Sequence, residues 1–192
     1  TYETYLMLEA ESDVKYEYHD GMITAMAGGT LEHGQIAMNF TSETALALKT
    51  KNKSCITYSS DVKVHIASAR RTFYPDASIV CGQSLRSEKD PQALTNPLLI
   101  LEVLSESTAS FDRGAKFSHY RKIESLREYV LISQSEAMVD TYYRTENNTW
   151  EITTITGLED KVLLKSIDCE IQMADIYRLV PGIDPESSVN PD

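Results

Sequence analysis

Two acids stand in strongly apolar surroundings. Asp76 follows Tyr74-Pro75 at the entrance to Ala77-Ser78-Ile79-Val80, and Glu102 lies inside Leu99-Ile100-Leu101-Glu102-Val103-Leu104. An ionised carboxylate in such a run loses hydration, so it is protonated, paired with a base or bound to a cation. Two of them together point to a divalent metal. The base available to Glu102 is Lys116, on a predicted helix that packs back after the strand, where Arg113, Lys116 and Tyr120 share a face at i, i+3 and i+7 spacing with Phe117 packing beside them. The plainer readings are a Pro-Asp turn and a structural Glu–Lys pair. His33, just before a long helix, reads as a cap or surface group as readily as a site residue, and Asp61 in Ser59-Ser60-Asp61 reads first as a turn residue.

These residues need elements to hold them. Apolar spacing predicts a short opening helix over 1–11, then a hairpin pairing 15–19 with 22–26 across Asp20-Gly21, two residues that tolerate positive φ. A long helix is expected over 33–51, with Ile36, Met38, Phe40, Ala45, Leu46 and Leu48 among its polar partners. Strands are expected at 55–58, 62–66, 77–80 and 98–104, the last almost continuously apolar and therefore central and covered on both faces. A charged loop at 82–96 separates the last two. Ser105-Glu106-Ser107-Thr108 reads as a turn and cap before a helix over 112–123, and strands follow at 128–133, 138–144, 149–156 and 162–164, with a last helix over 173–179. The fold class is α/β (α+β): a mixed sheet flanked by helices, with a β-rich C-terminal part.

The 192 residues, 42% of them hydrophobic, suit one domain over 1–180 and a loose polar tail over 181–192. No apolar run reaches the roughly 18–20 residues that span a bilayer, and no signal-peptide pattern opens the sequence, so a cytoplasmic protein without membrane partners is expected. Cys55, Cys81 and Cys169 are odd in number, far apart and not arranged as CxxC, which favours buried free thiols over disulfides or a zinc knuckle. The formal charge of −11 argues against strong non-specific binding to nucleic acid, although carboxylates of a metal site and acids of the tail account for part of it.

The stretches YPDASIVCG and NPLLILEVLSESTASFDRGAKFSHYRKIESLREYVLISQ resemble the Uma-type restriction endonuclease family. YEYHDGMI, Glu32-His33-Gly34 and TGLEDKVLLKSIDCEIQMADIY resemble it too, so the likeness runs from about Thr1 to Val180. The resemblance implies the PD-(D/E)XK nuclease-like superfold, with a mixed central sheet and a magnesium site at its edge. It places the motif's Asp at Asp76 and its second acid at Glu102. The usual lysine is missing: Leu104 stands two positions beyond Glu102, and Lys116 is the migrated substitute. Glu17 is similar to the additional N-terminal acid that completes such metal sites.

Phosphodiester hydrolysis needs a hydroxide-like nucleophile and stabilisation of the charge that develops around phosphorus. Mg²⁺, with Mn²⁺ as a substitute, prefers hard oxygens, so Asp76, Glu102 and the Val103 carbonyl are suitable ligands, with Glu17 in support. Lys116 would hold the attacking water and offset developing charge, while Tyr120 would orient Lys116 or touch a phosphate. The resulting expectation is a metal-dependent endonuclease acting on DNA as a homodimer, with the apolar strand 138–143 as a possible interface. The alternatives are a catalytically degenerate binding module, a metal-dependent hydrolase of a small phosphorylated substrate, and a stable α/β domain whose acids are merely paired.

Overall fold

The computed structural model describes residues 1–26 and 28–184. The stretch 185–192, which holds most of the expected polar tail, lies outside the described residues. Helix α1 (Tyr2–Glu11) leads to the hairpin β1 (Tyr16–His19) and β2 (Met22–Ala25), turned by Asp20 and Gly21, both at positive φ. The long helix α2 (Leu31–Thr50) begins at Thr30, whose hydroxyl accepts from the His33 backbone N–H. Strands β3 (Cys55–Ser59), β4 (Val64–Ile66), β5 (Arg71–Phe73), β6 (Ala77–Cys81) and β7 (Leu99–Leu104) follow.

After β7 the chain forms α3 (Ala109–Phe111), a π-helical turn (Asp112–Lys116) and α4 (Phe117–Tyr120) as one continuous run. Then come β8 (Glu128–Ser133), β9 (Met138–Arg144), β10 (Trp150–Thr156), β11 (Lys161–Leu164), β12 (Cys169–Gln172) and the one-turn helix α5 (Met173–Ile176).

Six strands form the central sheet in the order β10-β9-β8-β7-β6-β3. It is mixed, because β7 and β8 run parallel while the other pairs are antiparallel. All six residues of β7 are buried, as its continuous apolar pattern requires of a strand covered on both faces. Alternation along the strand divides the core. Leu99, Leu101 and Val103 join Ile36, Phe40 and Leu48 of α2 on one face, together with residues of β11, β12 and α5. Ile100 and Leu104 join Phe73, Tyr120, Tyr129 and residues of β4 on the other, so Glu102 points into this second layer.

A second sheet, β2-β1-β5-β4, covers that side, and the hairpin β11-β12 stands apart. A buried charge network ties α1 to it: Lys63 lies 2.7 Å from Glu9 and 2.9 Å from Asp90, and the Tyr74 hydroxyl donates to Glu9 at 2.8 Å. This network braces the segment that leads into Asp76. Among the described residues no helix is long and apolar enough to cross a membrane.

Several expectations need correction. Met38 and Leu46 are exposed, and Thr44 takes a buried place on the inward stripe of α2 with Ile36, Phe40 and Leu48, a strict i, i+4 row. Strands β5 and β12 were not expected, being short runs of mixed polarity, and the last helix is a single turn. The strand 138–144 lies between β8 and β10 with Val139 to Tyr142 buried, so it cannot offer an interface to a second copy.

The cysteines also depart from expectation. Cys55 and Cys81 face each other in the β3–β6 register and form a disulfide, while Cys169 is the free, buried one among the described residues. Strand pairing brings together two residues whose sequence spacing carries no disulfide signature. The bond closes a loop with a sequence separation of 26, so reduction is expected to lower the unfolding free energy by about 3 kcal/mol. Urea denaturation with and without dithiothreitol checks this: the wild type should shift and a Cys55→Ser/Cys81→Ser variant should not.

Candidate active site

The β6–β7 ladder ends with Ala77 opposite Leu101. One step further the same register sets Asp76 across from Glu102, with both side chains on one face of the sheet. The ladder opens there because Asp76 replaces a strand contact: its Oδ2 accepts from the Val103 backbone N–H at 2.7 Å. Its Oδ1 lies 2.7 Å from Nε2 of His33, in the first turn of α2. Both oxygens of Asp76 are thus oriented. On its other side the His33 ring packs against Gly29, where an added Cβ would come within 3.2 Å of it. His33 is therefore neither cap nor free surface group, since Thr30 does the capping and the ring turns inward to Asp76.

Glu102 is 4% exposed and Lys116 7%. The Lys116 ammonium lies 2.7 Å from Glu102 Oε1 and 3.5 Å from Asp112 Oδ1, and the Tyr120 hydroxyl donates to the same Glu102 oxygen at 2.9 Å. The Phe73 ring, 5.6 Å from the ammonium, walls the pair from water. Burial and the neighbouring charges of Asp76 and Asp112 push the Glu102 carboxyl well above the usual carboxylate range, against the pull of Lys116. Burial opposes the Lys116 charge, but the carboxylates of Glu102, Glu17 and Asp112 outweigh it and hold the ammonium firmly protonated.

Glu17 on β1 accepts from the Tyr74 backbone N–H at 3.2 Å and lies 3.3 Å from His19. Burial works against its charge, yet His19, Lys116 and the Tyr74 N–H together keep its carboxyl below the ordinary range. The hydrogen bond to Asp76 raises the His33 imidazole, against burial. Four carboxyl groups, from Glu17, Asp76, Glu102 and Asp112, thus surround Lys116 and His33.

Asp76, Glu102, Lys116, Tyr120, Glu17 and His33 come together at one end of the sheet. Arg113 does not join them. It pairs with Asp140 on β9, because the wider π-helical turn breaks the i, i+3 alignment with Lys116 that an α-helix would give. Asp61 is exposed and pairs with Lys15 at 2.6 Å, away from the cluster. Asp112 was missed, although its i, i+4 spacing to Lys116 was readable.

A family model described as "Uma2: Putative restriction endonuclease" matches residues 2–174. The chain belongs to the Uma2 family. Two relatives come from Synechocystis sp.: the uncharacterized protein slr1290, 34% identical over 92% of this chain and 90% of its own length, and the uncharacterized protein sll1609, 33% identical over 80% and 85%. A crystal structure from Anabaena variabilis, described as "a putative nuclease belonging to DUF820", superposes with a TM-score of 0.73 at 18% identity, covering 92% of this Uma2 chain and 97% of that one. The two share a fold. The mixed central sheet flanked by helices is the architecture that the family resemblance implied.

Proposed function

We propose that this chain is a Mg²⁺-dependent endonuclease that hydrolyses phosphodiester bonds in DNA, with Mn²⁺ as a substitute ion, and that it works in the cytoplasm as a homodimer. The observation that carries the reading is the meeting of Asp76, just ahead of β6, with Glu102 of β7 and Lys116 of the π-helical turn at one end of the sheet, where Asp76 accepts from the Val103 N–H and Lys116 pairs with Glu102. Lys116 reaches Glu102 from the crossover helix and so stands in for the lysine that Leu104 replaces on the strand.

Among the described residues no three His, Cys, Asp or Glu side chains converge closely enough to hold an ion. Mg²⁺ does not demand that, since it is commonly bound through one or two carboxylates and keeps several waters. The donors fit in kind: Asp76 and Glu102 offer hard oxygens on one face, and burial, with the charges of Asp76 and Asp112, disfavours the ionised form of Glu102 without a further cation. Asp76, Glu102 and the Val103 carbonyl would hold the ion, with Glu17 in support. Bound there, it supplies charge neutralisation at the phosphate and a more acidic water.

The chain's own groups do the rest. His33 and the Val103 N–H orient Asp76, and Tyr120 fixes the Glu102 oxygen that faces Lys116. The Lys116 ammonium offsets charge that develops on the phosphoryl oxygens.

Plasmid nicking with Mg²⁺ or Mn²⁺ tests the reading: the folded wild type is expected to nick supercoiled DNA, and EDTA to stop it. A second reading is favoured by the closed Lys116–Glu102 pair, in which the lysine is spent on neutralising the acid and the fold serves as a binding module. Absence of metal-dependent cleavage on every nucleic acid tried would select it. Sedimentation gives the mass that decides the homodimer.

A further inference from the structure

The chain carries a formal charge of −11, yet one cleft is strongly basic. It has a volume of about 420 Å³ and opens where α4 ends, β8 begins and β9 turns into β10. Arg121, Lys122, Arg127 and Arg144 line it beside Trp150, and Glu124 is the single carboxylate of the lining. Arg121, Lys122 and Arg127 are exposed and form no ion pair among the described residues.

Arg144 is different in kind, being 7% exposed. Its guanidinium donates to the backbone carbonyls of Ile123 at 3.1 Å and Glu124 at 3.4 Å, and to that of Arg121. Its Nε is buried without a hydrogen-bond partner, and the Trp150 ring lies 4.8 Å from the guanidinium carbon. Burial, then the positive charges of Arg127 and Arg121, depress its ionisation. A buried cation beside two like charges is an arrangement that an oxyanion in the cleft would relieve.

We propose that this cleft is an anion site that takes a phosphate oxyanion, carried on a nucleic-acid strand or free in solution. The number of unpaired cations and the forked donors of the arginines suit phosphate, and the adjoining indole suits a strand, whose bases stack on aromatic faces. The inference stands apart from the catalytic reading. Arg127 precedes β8, whereas Glu102 pairs with Leu131 further along it, so the cleft lies about 13 Å from the acidic cluster along the strand direction.

Trp150 is the chain's one tryptophan and reports the cleft directly. The experiment titrates metal-free wild type in EDTA at low salt with inorganic phosphate, and separately with a short single-stranded oligodeoxynucleotide. Indole fluorescence and calorimetry are read in parallel, so that a binding event silent in one is seen in the other. The comparison is a Lys122→Ala/Arg127→Ala variant. Both residues are exposed, and circular dichroism checks its fold. Arg144 is left in place because it holds three carbonyls.

Saturable binding that weakens at least about tenfold in the variant is expected, with the oligonucleotide arm also weakening as salt rises. A response to inorganic phosphate identifies a free-oxyanion site, and a response to the oligonucleotide alone identifies a phosphodiester site. No saturable binding in either arm, or equal affinity in the folded variant, overturns the proposal. Since cleavage is not read, failure of the nuclease proposal leaves this result unaffected.

Discussion

Replacing Lys116 by methionine is expected to lower metal-dependent cleavage by about 10²–10³-fold, the size typical of removing one preorganised donor aimed at a developing negative charge. The same change should destabilise the fold, because Glu102 would be left buried beside Asp76 and Asp112 with the Tyr120 hydroxyl as its one remaining partner among the described residues. Breaking a buried pair by removing one member costs about 3–5 kcal/mol when the remaining charge cannot escape. Glu102 can escape by taking a proton, so the loss should depend on pH.

Burial already holds its folded value above the ordinary 4.5 with Lys116 in place, and removing the ammonium that lowers it raises it further, so the variant's native state holds that proton to higher pH than the unfolded chain does. Stability therefore falls as pH rises above about 4.5 through the window up to the folded value. Urea denaturation of Lys116→Met in EDTA should show a smaller loss at pH 5 than at pH 8. Equal losses at the two pH values would show that Glu102 is not the group left exposed to this penalty. A fold that is destabilised while wild-type cleavage never responds to divalent ions would return the pair to a purely structural role.

Asp76→Asn is expected to act in the opposite proportion. Asparagine keeps a carbonyl oxygen for the Val103 N–H, and its amide can meet the acceptor tautomer of His33, so unfolding free energy should change by no more than about 1.5 kcal/mol. Cleavage should fall by about 10³-fold, the rate equivalent of about 4 kcal/mol, because a neutral amide is a poor ligand for a hard cation. A nicking assay beside a denaturation curve separates the two quantities. If Asp76→Asn cleaves like the wild type, the metal does not sit between Asp76 and Glu102.

The contrast between these variants follows from how each acid is held. Asp76 is fixed by two hydrogen bonds at the sheet's end, and Glu102 by an ion pair inside it. The sequence showed the second arrangement more clearly than the first. A lone acid inside Leu99 to Leu104 has few solutions, and the next buried cation along the chain was Lys116. His33 was harder to weigh, because nothing local distinguishes a histidine in a helix's first turn that points outward from one that reaches another element.

Arg113 misled for a related reason. Face assignments assume 3.6 residues per turn, and the π-helical turn at Asp112–Lys116 changes the count without a residue pattern that announces it. The cysteine pair was invisible because strand order decides which residues become neighbours. The long helix, the Asp20-Gly21 hairpin and β6 to β9 were legible because their apolar periodicity or turn chemistry is strong and local.

The parallel pairing of β7 and β8 has a kinetic consequence. Parallel neighbours need a crossover, and here the crossover is the segment that delivers Lys116. Until it closes, β7 has β6 on one side but lacks its parallel neighbour β8, and Glu102 lacks its counter-charge, so the sheet's centre and its buried ion pair wait on the same loop closure. A chain broken between β7 and β8 would lose that coupling, which makes this crossover the least suitable place in the fold for a circular permutation.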